Sequence, residues 1–174
     1  APPKWALPRE ALAAAFSPRT KLLVLNSPQN PSGTSTSPAA VYIMDIGIDV
    51  SHPELIGHAQ NDGPDVTSES PKQPFYGSHG TSVAGIVGAT RNNSIGIAGV
   101  AGGVVMGGAR VFDSHEEAHA PGLANAINWG VDHGYRVLNY SGKVSDANEQ
   151  LEQSCRRAYL SNACLVVSSG NDNA

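Results

Sequence analysis

From residue 40 onward, short apolar runs alternate with longer stretches in which apolar residues recur on one helical face. Val41 to Asp45, Val104 to Phe112, Arg136 to Tyr140 and Cys164 to Ser168 have strand length, with apolar residues at both parities. Between them, His79 to about Ala89, Leu123 to His133 and Asn148 to Ser161 carry helical periodicity. Strands that do not alternate apolar with polar are buried on both faces, which is the condition of a parallel sheet covered by helices on each side. The predicted class is α/β, a parallel sheet with helices on both faces, and no repeat of solenoid period interrupts it.

The first 38 residues read differently. Pro8-Arg9-Glu10 before an Ala/Leu run predicts a helix with proline in its first turn, ending by Pro18. Lys21 to Asn26 has strand length, and Ser27 to Ala39 is a Ser/Thr/Pro/Gly/Asn linker. The expected organisation is a helix-strand-loop segment over 1–38, less than a domain, joined to one domain over 39–174.

Composition narrows the partners. A net charge of −4 with no Lys/Arg cluster gives no basic field for nucleic acid or anionic lipid. No apolar run approaches the roughly 18 residues of a membrane span, and no export signal stands at the N-terminus. Cys155 and Cys164 fall on a predicted helix and at a strand start, as two separate buried thiols, which leaves the redox compartment open.

Three strand-edge features carry candidate chemistry. Asp45 ends a buried strand just before Gly47, at the sheet edge where ligands of open α/β sheets bind; taken alone it also suits a helix cap or turn. Asp49 reads as a turn residue. His79 stands in the first turn of a small-residue helix, where a partner carboxylate could hold Nδ1–H and leave Nε2 toward a nucleophile. Asn171 follows Gly170 at the end of the last strand, with an amide that can donate to a developing oxyanion.

DIGID with SHPEL, HGTSVAGIVGA, NNSIGIAGVA, AINWGVDHGYRVLNYS and VVSSGNDN occur in the order and approximate spacing of the subtilisin-like serine proteases, which residues 39–174 resemble. The resemblance implies a partial subtilisin-like fold and peptide or protein substrates. It makes Asp45 and His79 the first two members of the catalytic triad, Asn171 the oxyanion donor, and Ser141-Gly142 part of the substrate-binding strand edge. It also implies an extracellular setting and a calcium site in the loop Arg91 to Ile97, with Asn93 and Glu54 as ligands, although an ordinary turn explains the same residues.

The family's nucleophile belongs to a GTSMAxP-type block beyond the asparagine, and no residue up to 174 matches it. Ser82 sits in a similar string, three residues after His79 on the same helix, and lacks the following proline. The expectation is a chain without turnover by itself, whose open sheet edge pairs with a complementing C-terminal segment or with itself. Residues 4–34 resemble a helix-strand-loop piece of fold-type I aminotransferases, in which Asn30 matches an asparagine that contacts pyridoxal phosphate. Lys21 does not match the Schiff-base position, so no cofactor is expected there. The two resemblances together suggest an artificial chimera or a non-catalytic scaffold as an alternative. A last alternative, zinc peptidase chemistry, comes from His115-Glu116-Glu117-Ala118-His119, which spells HExxH with Gly122 behind it. That motif needs both histidines on one helical face.

Overall fold

The computed structural model describes residues 40–69, 77–144 and 146–170. The elements in chain order are β1 (Ala40–Asp45), β2 (Ala59–Gln60), α1 (His79–Gly88), β3 (Val105–Arg110), α2 (Ala120–Asp132), β4 (Val137–Tyr140), α3 (Glu149–Leu160) and β5 (Cys164–Val167). The strands form one sheet in the order β2-β3-β1-β4-β5, parallel at every pairing. The earliest long strand is therefore the central one. β1 meets β3 from Ala40↔Val105 to Asp45↔Arg110, and meets β4 from Val41↔Val137 to Met44↔Tyr140.

Because the strands are parallel, their C-terminal ends share one edge, and each side chain's face follows from its parity. Val41 and Ile43 point to one side, where they pack with Ala84 of α1 and Met106 of β3. Tyr42 and Met44 point to the other, into the larger core under α2 and α3 that includes Leu123, Ile127, Leu138 and Leu151. Full burial of each large apolar side chain stabilises the fold by roughly 1.5–3 kcal/mol. Asp45 continues the Val41–Ile43 face, so strand geometry alone aims its carboxylate toward α1.

The residues that α1 buries are Gly80, Ala84, Gly85 and Gly88. Small side chains there let the helix lie close to the sheet, and Gly80 sits tightest. A Cβ at Gly80 would run into the carbonyl oxygen of Gly47, a residue that itself turns away from β1 at φ 85°.

Several boundaries depart from the sequence expectation, β3 ending at Arg110 and not at Phe112 among them. Helix α2 begins at Ala120, three residues before the predicted start, because Pro121 occupies the first turn, where a missing N–H costs nothing. The two-residue β2, parallel to β3 at the sheet margin, was not predicted. Helix α3 starts where Asn148 predicts, its side chain accepting from the N–H of Leu151 at 3.0 Å. Cys155 on α3 and Cys164 on β5 are free thiols, both pushed up by burial. No described helix is long and apolar enough to cross a membrane. Residues 1–38, with Asn30 and Lys21, lie outside the described residues.

At the far end of β3, buried Arg110 pairs with Glu69 and lies 3.5 Å from Asp65. Glu69 also accepts the backbone N–H of Ser114 at 2.7 Å, tying the segment before α1 to the loop after β3. The Ser114 hydrogen bonds, with Arg110 behind them, hold the Glu69 carboxyl at about 2 against an ordinary 4.5. A depressed folded value means stability that is present above the unfolded value and lost as pH falls through the folded one. Stability is therefore expected to decline between about pH 4.5 and 2, with a shallower decline in Glu69→Gln, read from denaturant midpoints across that range. Gly80→Ala is expected to destabilise the chain by roughly 1–3 kcal/mol in urea unfolding, because the methyl group has no space to enter; a neutral result would contradict the close approach.

Candidate active site

Asp45 is fully buried, and His79 stands at the first position of α1 with its ring about half exposed (55%). Nδ1 of His79 lies 2.9 Å from Oδ1 and 3.0 Å from Oδ2 of Asp45, so the carboxylate faces the ring nitrogen with both oxygens. The backbone N–H of Ile46 donates to Oδ1 at 2.8 Å. Burial pushes the Asp45 carboxyl up, and the His79 and Ile46 hydrogen bonds offset only part of that rise. A carboxylate so held fixes Nδ1 as the donor, and the exposed Nε2 is left as the acceptor.

Two segments frame this pair. Asp49 accepts the N–H and hydroxyl of Ser51, the turn role expected of it, and its own N–H is capped by the hydroxyl of Thr81 at 2.9 Å, which pins the chain after β1 to α1. Ser82 does not turn toward His79: its hydroxyl donates to the carbonyl of Ser78 at 2.9 Å, one helical turn back.

A cleft of about 160 Å³ opens beside His79, lined also by Ile46, Phe112, Glu116, Ser141, Gly142 and Lys143. The sequence expectation thus finds Ser141 and Gly142 together with His79. Asn139 steadies the Ser141 hydroxyl by donating to it at 2.8 Å. Gly142 and Lys143 also border a larger, mainly apolar cavity of about 420 Å³, floored by Leu123, Ile127, Leu151 and Leu165 and rimmed by Ser168 and Gly170. Asn171 itself lies outside the described residues.

Glu116, Phe112 and Ile46 escaped the sequence reading. Ile46 follows the strand-end aspartate directly and could have been named from that adjacency. Glu116 was absorbed into the HExxH spelling, which the backbone does not support: residues 113–119 form a loop, and helix begins only at Ala120. The loop brings Asp113, Glu117 and His119 within 4.8 Å of one another, whereas the zinc motif needs His115 paired with His119.

Glu54 and Asn93, the implied calcium ligands, do meet. Buried Glu54 accepts the Asn93 side-chain amide through Oε2 and the N–H of Ile97 through Oε1, each at 2.9 Å, while Asn93 Oδ1 accepts from Ile95 N at 3.2 Å. N–H donors here converge on an anion. A cation would need free oxygens at the centre, so the donor set as placed does not fit one.

The Subtilase family's sequence model matches residues 36–174. Thermitase from Thermoactinomyces vulgaris is 32% identical over 147 residues, covering 84% of this chain and 52% of thermitase. Subtilisin E from Bacillus subtilis (strain 168) is 31% identical over 142 residues, 82% of this chain and 36% of that protein. Among solved structures, fervidolysin from Fervidobacterium pennivorans, a keratinolytic enzyme related to subtilisin, superposes with a TM-score of 0.63 at 26% identity over 77% of this chain and 21% of its own. The S218A mutant of the PatA protease domain gives 0.61 at 26% identity over 76% and 50%. The chain spans about half or less of the length of these curated relatives. With the family model matched from residue 36 to 174 on a parallel sheet of the same form, this chain belongs to the subtilase family.

Proposed function

We propose that these residues form the aspartate-histidine half of a serine endopeptidase site acting on peptide or protein substrates. The observation that carries this reading is the buried Asp45 carboxylate set on Nδ1 of a half-exposed His79 at the C-terminal edge of a parallel sheet. In this reading Nε2 of His79 removes the proton from a serine hydroxyl supplied by sequence beyond residue 174, and later returns a proton to the leaving amine. Asp45 keeps the ring in the correct tautomer and stabilises the imidazolium. The backbone of Ser141-Gly142 pairs with the substrate strand, and Asn171 donates its amide to the oxyanion.

The test is covalent labelling by a fluorophosphonate together with peptide hydrolysis. The full-length protein containing these residues is expected to label and to cleave, and the 174 residues alone to do neither. His79→Ala should lower kcat by about a million-fold and Asp45→Ala by about ten-thousand-fold, magnitudes that come from this family's own behaviour. Hydrolysis that survives His79→Ala undiminished would remove the reading.

We also infer that the loop over 91–97 is organised by the Glu54 carboxylate. Glu54→Ala would strand the Ile97 N–H and the Asn93 amide, a cost of about 1–3 kcal/mol per unpaired group. Chemical unfolding is expected to show the same loss in excess calcium and in chelator; a loss confined to calcium-containing buffer would assign the loop to the metal instead.

A further inference from the structure

The cleft beside His79 is not electrically neutral. The loop from Asp113 to Glu117 borders it and contains three carboxylates, and Glu116 is the one that lines the cleft itself. Its residue is exposed, and its backbone is held at φ 61°, a left-handed conformation that a glutamate adopts only when its surroundings fix it. The fixing contacts are visible. The N–H of Glu116 donates to the carbonyl of Asp113 at 3.1 Å, and the Asp113 carboxylate accepts the N–H groups of His115 and Glu117 at 2.9 and 3.0 Å. The loop is thus closed by its own backbone, while Glu116 is exposed at the cleft.

The charge of Glu116 reaches the catalytic pair, being the like charge that adds to burial in pushing Asp45 up. Lys143, which follows Ser141 and Gly142 in the chain, also lines the cleft. A peptide lying in the cleft therefore meets a carboxylate on the side of the Glu116 loop. Selectivity is a difference of affinities, and a rim carboxylate with no role in the chemistry can create one.

We propose that Glu116 is a specificity-determining residue that favours substrates with a cationic side chain, lysine or arginine, at the position lying against His79 on the Glu116 side of the cleft. This rests on the protease reading above and adds the substrate class to it. No proton or electron moves through Glu116, which selects by attracting the side chain. Its worth is that of a solvent-accessible ion pair, about fivefold in kcat/KM at low salt, declining as salt screens it.

The experiment scans lysine, norleucine and glutamate through each of the residues preceding the scissile bond of one model peptide, using the full-length protein. One position is expected to rank lysine above norleucine above glutamate, with the lysine advantage about fivefold at low ionic strength and largely gone at molar salt. In Glu116→Gln that ranking should flatten at that position alone, read as the ratio of the lysine to the norleucine peptide. Glu116→Gly, which suits the left-handed backbone, should give the same flattening and guards against loop collapse in the first variant. A charge preference at no position, or one that persists unchanged in both variants, overturns this inference while leaving the protease reading intact. Cleavage of none of the peptides removes the protease reading, and the inference with it.

Discussion

A carboxylate with no exposure to water, at the end of the central strand, is the constraint on which this half-domain turns. An isolated buried charge is strongly disfavoured, so Asp45 is tolerable only with donors on its oxygens. The backbone of Ile46 supplies one and the imidazole of His79 supplies the other. Everything that brings α1 to the strand end serves that pairing: the turn at Gly47, the absence of a side chain at Gly80, and the Thr81 hydroxyl on the Asp49 N–H. Removing the close approach would leave the carboxylate with only the Ile46 N–H as donor before it disturbed any chemistry.

The same economy extends along the sheet edge. Parallel strands place the ends of β1, β3, β4 and β5 on one rim, so Asp45, the loop after Arg110, the Ser141-Gly142 strand end and the Ser168–Gly170 turn become neighbours although they are far apart in sequence. The larger apolar cavity follows from this arrangement, because its floor is the α2 and α3 side of the core and its rim is the same edge.

Much of this was legible in the sequence, for physical reasons. β1 could be read because a strand buried on both faces leaves an unbroken apolar run, and parity then predicts which way Asp45 points. The small residues of α1 announced close packing. The start of α2 lies three residues before the apolar periodicity that marked Leu123, because Ala120-Pro121-Gly122 carries no apolar stripe although proline is harmless in a first turn. β2 is too short to leave a pattern. Glu116 was hidden by the spelling of a motif: HExxH depends on helical spacing, and a loop whose middle residue sits at φ 61° does not have it. The Glu54–Asn93 meeting was anticipated from family resemblance, whereas the polarity of the contact, N–H donors around a carboxylate, could be seen only with the atoms in place.

The central claim concerns which nitrogen of His79 carries the proton. Nitrogen-15 NMR of the histidine-labelled chain, with the His79 signals assigned by their loss in His79→Ala, reports this directly. The account predicts a neutral ring protonated at Nδ1, with a strongly downfield Nδ1 proton that moves upfield in Asp45→Asn. A ring protonated at Nε2, or one averaging between tautomers as a free histidine does, would contradict it.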